Sequence, residues 1–182
     1  PPYRKPQIGK IIIRSILDRT VFVLARALMV AAPAGLVIWI FANVQVGDVN
    51  LLGFCADFLD PFAVWFGLDG IILLAFILGL PANEIVLPLI IMGYAASGSL
   101  AELGDLTAMQ SFLQANGWDM VTAVCVMLFY LMHWPCATTL LTIRKESGGW
   151  KWTLLAFVIP AAAGLAVCFV VKQCSVLLAM LL

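Results

Sequence analysis

Apolar stretches of membrane-crossing length dominate this chain and limit what it can fold into. Residues 20–42, 119–143 and 153–171 each hold an apolar run near the roughly 20 residues that a helix needs to cross hydrocarbon. Residues 70–96 are also apolar, but a polar segment, GLPANE, divides them. Hydrophobic residues make up 64% of the 182 and charged residues 11%, with a mean hydropathy of +1.08. A soluble domain carries about a quarter charged residues, so the chain reads as an integral membrane protein whose main partner is the lipid bilayer. Ten basic and ten acidic residues give zero net charge, which argues against nucleic acid as a partner. The five cysteines form no CxxC pair and read as buried thiols, not as a disulfide framework. The expected fold class is all-α: a polytopic membrane protein with an interfacial helix, a re-entrant hairpin and a broken transmembrane helix.

Charge and turn residues order these pieces. Residues 1–19 carry Arg4, Lys5, Lys10, Arg14 and Arg19 and are expected to form a basic, cytoplasmic, interfacial lead-in. Residues 20–182 are expected to form the transmembrane domain. Pro1 and the absence of an initiator Met suggest a fragment of a longer protein whose missing part lies on the N-terminal side. Residues 43–69 hold Asp48, Asp57, Asp60 and Asp69 without a Lys or Arg, and fit an amphipathic helix lying in the interface. Residues 70–96 allow two readings, one kinked crossing or a re-entrant hairpin with its tip at Pro81-Ala82-Asn83-Glu84. The loop 97–118 is acidic, whereas Arg144, Lys145 and Lys151 follow the next apolar segment. Basic loops favour the cytoplasm, and only the hairpin satisfies that rule everywhere. Gly148-Gly149 can stop the helix after Arg144-Lys145. Residues 153–171 make a final crossing, with the course of the tail left open.

The chemistry is expected at the two breaks, GLPANE and HWPC. Non-helical backbone at membrane depth persists only against protein or a wet cavity, and in transporters such breaks expose carbonyls and helix ends to a solute. Glu84 is a carboxylate deep in an apolar stretch, which makes it either a functional group or a hydrogen-bonded plug of the hairpin tip. On an uninterrupted helix Cys125, Met132, Cys136 and Thr139 would share one stripe. Cys125 and Met132 read as packing residues. Cys136, directly after the helix-breaking Pro135, reads as functional. His133 reads as a second ligand or as a helix-contact residue. Pro81, Asn83, Pro135, Thr138 and Thr139 are the expected break and gate positions.

Pro135-Cys136-Ala137-Thr138, then Ile143-Arg144-Lys145-Glu146-Ser147-Gly148 and Trp150-Lys151-Trp152, resemble the signature near the end of FeoB, the ferrous iron transporter family of bacteria. GLPANEIVLPLIIMGY resembles another segment of that family. So does the entry stretch Ile13-Arg14-Ser15, Asp18-Arg19-Thr20 and Phe22 to Ala27. The resemblance implies the C-terminal half of a membrane domain with the second of two gate repeats, Fe2+ as transported substrate and the cytoplasmic membrane as location. It also implies an N-terminal GTPase domain and a first gate repeat as partners, and it allows a homo-oligomer. No GxxxxGK[ST] loop is present, so GTP belongs to that other domain and no enzyme activity or bound cofactor is expected of these residues. Cys136 matches the family's gate cysteine. With Glu84 and His133 it makes the expected transient metal set, although His133-Trp134 departs from the family's usual residues before the Pro-Cys pair.

Three other readings compete. A transporter of another solute, such as a nucleoside, has the same order of elements but needs more polar groups than Asn83, Glu84, Thr138 and Thr139. An intramembrane enzyme could pair Cys136 with His133 but lacks a third group to orient the imidazole. A non-transporting scaffold would use the breaks for packing alone.

Overall fold

The computed structural model describes Gly9, Arg14 and residues 20–46, 49–95 and 105–181. The lead-in expected over 1–19 lies outside these residues apart from Gly9 and Arg14, both helical. The first long helix, α1, runs Phe22–Asn43 with Pro33 inside it. A two-residue antiparallel ladder follows, β1 (Gln45–Val46) against β2 (Val49–Asn50). All other elements are helical. They are α2 (Leu51–Ala63), a 3-10 turn Val64–Phe66, α3 (Gly70–Leu78), a 3-10 turn Asn83–Ile85 and α4 (Val86–Ala95). After them come α5 (Leu106–Ala115), α6 (Met120–Met132), α7 (Ala137–Ser147) and α8 (Trp150–Leu181).

The acidic loops supply the helix starts. Asn50, Asp69, Asp105 and Asp119 each occupy an N-cap and accept a backbone N–H of the helix that follows, from Gly53, Ile72, Thr107 and Thr122 respectively. A side-chain oxygen at that position satisfies an orphan amide, and a negative charge suits the positive end of the helix dipole. The Thr122 amide holds the Asp119 carboxyl below its usual carboxylate range. The charge bias seen in the sequence therefore has a local structural cause as well as a topological reading.

Residues 70–95 form a hairpin. Helices α3 and α4 pack on each other, and Gly93 near the end of α4 lies against Ile71 at the start of α3. The two ends meet again where the Tyr94 hydroxyl donates to the Asp69 carboxylate, and Trp118 Nε1 donates to that hydroxyl at 2.8 Å. Entry, exit and the approach to α6 are thus tied together at one level. The acidic segment before the hairpin is helical too. Helix α2 buries Leu52, Ala56 and Ala63, and the axis turns by 105° between Leu51–Phe66 and Gly70–Leu78. The core sits where α2, α3, α4 and α6 converge, with Phe76 and Phe129 fully buried in edge-to-face contact at 4.7 Å.

Among the described residues, Met120–Ser147 (taken across its break) and Trp150–Met180 are long and apolar enough to cross a bilayer. The bent pair makes a third if it counts as one span. The stretch 20–42, expected as a crossing, lies in α1, where Leu28–Asn43 counts as an apolar helix shorter than those two. The open question of the tail is closed. Nothing in KQCSVLLAMLL breaks a helix, and α8 continues for 32 residues, ~48 Å against a hydrocarbon core of ~30 Å. Gly148 ends α7 in the left-handed region at φ 66, and Arg144 lies 3.8 Å over the Trp150 ring.

This arrangement gives a topological prediction. Cysteines introduced at Gln45 and Asp105 should react with an impermeant maleimide from one face of the membrane, and a cysteine at Glu146 from the other. Reaction of 45 and 105 from opposite faces would overturn the hairpin topology.

Candidate functional site

The two breaks meet. Leu80 and Pro81 turn the hairpin, and the Leu80 carbonyl points outside it, accepting the Ala137 amide at 2.8 Å. Ala137 is the first residue of α7, so its amide is one of the orphan donors that every helix start leaves. Each break therefore satisfies a polar backbone group that the other exposes, as a buried non-helical backbone requires. A second tie runs from the Tyr130 hydroxyl to the Asn83 carbonyl at 2.8 Å.

The second break follows from its sequence. Pro135 has no N–H and pushes the residue before it out of the helical region. Helix α6 closes with the His133 amide on the Phe129 carbonyl at 2.7 Å, and His133 turns extended at ψ 176. Cys136, at φ −59 and ψ 158, is the N-cap of α7. Its Sγ lies 3.1 Å from Thr138 Oγ1 and 3.2 Å from Thr139 Oγ1. The expected gate residues Cys136, Thr138 and Thr139 thus form one local group beside the hairpin tip of Pro81 and Asn83.

The His133 ring lies among Phe76, Phe129, Tyr130 and Trp134, with its centroid 5.2 Å from that of Phe76. Its Nδ1 is 2.7 Å from the Tyr130 carbonyl. A carbonyl only accepts, so Nδ1 carries the proton and Nε2 carries the lone pair. Among the described residues, the buried Nε2 has no hydrogen-bond partner, and the same holds for Asn83 Oδ1 and Trp134 Nε1. Trp134, 7% exposed, stacks on Phe157 at 4.9 Å.

Glu84 departs from expectation. The sequence placed it deep in an apolar stretch, but it is exposed on the 3-10 turn of the tip. Nor do Cys136, Glu84 and His133 assemble: among the described residues no three of His, Cys, Asp and Glu come together to hold a metal ion. The one-stripe arrangement also fails. The extended residues at the break destroy the helical phase between Cys125 and Cys136. Cys125 is fully buried against α8, its Sγ 3.8 Å from the Cys168 carbonyl, while Cys168 Sγ lies 3.3 Å from the Cys125 carbonyl. Met132 lies against Gly164 of the same helix. Cys125 and Met132 are packing residues, as the sequence favoured. Tyr130 also belongs to the site, and the sequence gives no sign of it. An aromatic residue in an aromatic-rich apolar run carries no signal of its own.

On its other side the hairpin tip faces α1 across a largely apolar cavity of about 500 Å³, lined by Ala34, Gly35, Ile38, Pro81, Ala82 and Ile85 among others.

Comparison with known proteins agrees with this architecture. The model of the Gate family, described as "nucleoside recognition", matches residues 24–150. The Fe(2+) transporter FeoB of Staphylococcus aureus (strain MSSA476) is 26% identical over 184 residues, covering 95% of this chain and 26% of that protein. FeoB of Methanocaldococcus jannaschii is 26% identical over 171 residues, covering 86% of this chain and 24% of that protein. The Fe(2+) transport protein A/Fe(2+) transporter FeoB fusion protein of Porphyromonas gingivalis is 21% identical over 142 residues, or 75% of this chain and 17% of that protein. The chain spans about a quarter of the length of the FeoB proteins it matches. No solved structure matches it. With a Gate model over most of its length and a membrane-type helical fold whose two breaks interlock, the chain is an integral membrane protein of the Gate family, similar over nearly all its residues to a stretch of FeoB.

Proposed function

We propose that this chain forms half of the translocation path of a ferrous iron transporter in the cytoplasmic membrane. The observation that carries the proposal is the Ala137 N–H···O=C Leu80 bond, which holds Cys136 at the junction of the two breaks. The FeoB relatives supply the substrate. Iron(II) accepts thiolate, imidazole and oxygen ligands, and an incomplete ligand set lets the ion leave as readily as it enters. Cys136 is the sulfur ligand, Thr138 and Thr139 hold it in place, and Glu84 on the exposed tip meets the ion at the edge of the path. The rest of the path, the first gate repeat, and the GTPase domain belong to the longer protein. The nucleoside reading gets its support from the description of the Gate family alone, since the junction has few of the polar groups that a sugar and base require.

Alkylation of Cys136 tests this in membranes kept free of oxygen. Fe2+ should slow modification of Cys136 several-fold and leave that of the exposed Cys174 unchanged. Protection by a nucleoside instead of Fe2+ would move the assignment to that solute. Absence of protection by either would place Cys136 outside the path.

A further inference from the structure

Resting on the iron-path reading above, we propose that His133 Nε2 is a transition-metal ligand at the junction of the breaks, that the Asn83 carboxamide oxygen faces the same ion from the hairpin tip, and that Tyr130 positions both.

The imidazole is prepared for this role. Its Nδ1–H donates to the Tyr130 carbonyl at 2.7 Å. A ligating histidine commonly gives its second ring N–H to a backbone carbonyl, which fixes the tautomer and aims the free nitrogen. Among the described residues the free nitrogen is buried without a donor, and so is Asn83 Oδ1 on the other break. Buried acceptors left unpaired are costly and rare. Two of them on adjoining breaks call for one ligand that accepts electron pairs directly or through its waters. Tyr130 links the two walls, since its carbonyl orients the imidazole while its hydroxyl donates to the Asn83 carbonyl at 2.8 Å. Both donors are neutral, one nitrogen and one oxygen. That set suits a borderline divalent ion such as Fe2+ or Co2+ and gives little to Mg2+, which takes carboxylates and its own water. Among the described residues, this pair stands apart from Cys136 and the exposed Glu84, with which His133 does not assemble.

The test uses the untagged, intact protein in lipid nanodiscs with Co2+ as probe. His133 is the only histidine of these 182 residues, and in the longer protein its carbethoxylation by diethyl pyrocarbonate is read on the His133 peptide by mass spectrometry. Co2+ should slow the reaction about ten-fold, and Mg2+ should not. No protection by Co2+ overturns the proposal, and so does equal protection by Mg2+. In the variants, His133→Phe keeps the ring contacts with Phe76 and Tyr130 but has no lone pair. It should weaken Co2+ binding about ten-fold and change the d–d bands. Tyr130→Phe keeps the carbonyl and loses the hydroxyl, and should weaken binding by a smaller factor. Wild-type binding in Tyr130→Phe removes the positioning role. If Cys136→Ser abolishes transport while Co2+ fails to protect His133, the inference falls and the path reading stands. If Co2+ protects His133 while Cys136→Ser transports normally, the inference stands and the thiol is not in the path.

Discussion

Gly70→Ala is expected to leave almost no folded protein. Gly70 opens α3 where that helix crosses α2, and its amide donates to the Asp60 carboxylate at 2.9 Å. A Cβ there would stand 1.9 Å from the Ala56 carbonyl oxygen and 2.9 Å from the Asp60 amide nitrogen. Both are backbone atoms of α2, so no rotamer change relieves the clash. The two helices must separate, which exposes Ile72 and Phe76, both 0% exposed in the native packing, and strains the tie between Asp69 and Tyr94. Overpacking of a core typically costs about 1–3 kcal/mol, and a clash against immovable backbone belongs at or above the top of that range. Gly93→Ala makes the graded comparison. Its Cβ would come 2.6 Å from Ile71 Cγ2, a side-chain methyl that moves only with the stiff χ1 of a β-branched residue, so a loss of about 1–2 kcal/mol is expected. Gly35→Ala meets nothing within 4 Å and should be silent. The measurement is the fraction of each variant that survives stepwise heating in detergent and still elutes as one species. Equal survival of Gly70→Ala and Gly35→Ala would show that α2 and α3 do not cross as described.

That crossing could not be read from the sequence. A glycine after an aspartate looks like an ordinary helix start, and only the approach of a distant segment gives it weight. The hairpin could be read, because its evidence is local and additive: two prolines in an apolar run, acidic residues on one flanking loop, basic residues on the next. The broken helix could be read for a similar reason, since Pro135 forbids a continuous helix wherever it sits. The partners of the breaks could not. Leu80 and Ala137 are apolar residues joined through their backbones, and no side-chain pattern records that bond. The helical-wheel stripe from Cys125 to Thr139 failed at one point, His133, whose extended ψ resets the phase for everything after it. The expected burial of Glu84 failed for a different reason. Apolar neighbours in sequence predict burial only when the chain is regular, and at a hairpin tip they leave the turn residues on the outside.

Cys136→Ser should cut Fe2+ uptake about ten-fold or more, a change of roughly 1.4 kcal/mol or above in the limiting barrier. The substitution nearly preserves volume and leaves the N-cap position of α7 occupied by a residue that favours it, so the fold should survive. It exchanges a sulfur ligand for a hydroxyl oxygen and thereby removes the soft ligand from the junction. The choice of control matters. Cys168 on the final helix is a poor control, because it is fully buried and its thiol faces the Cys125 carbonyl. A loss there would report on the packing of α6 against α8. Cys174 is exposed, and Cys174→Ser should leave uptake unchanged. The comparison requires the full-length protein, reconstituted at matched amounts, with anaerobic Fe2+ and the same lipid. Uptake lost in Cys136→Ser and kept in Cys174→Ser places the thiol in the path. Equal, near-normal uptake in both would mean that Cys136 only packs, and that the bond between Leu80 and Ala137 closes the fold without guiding an ion.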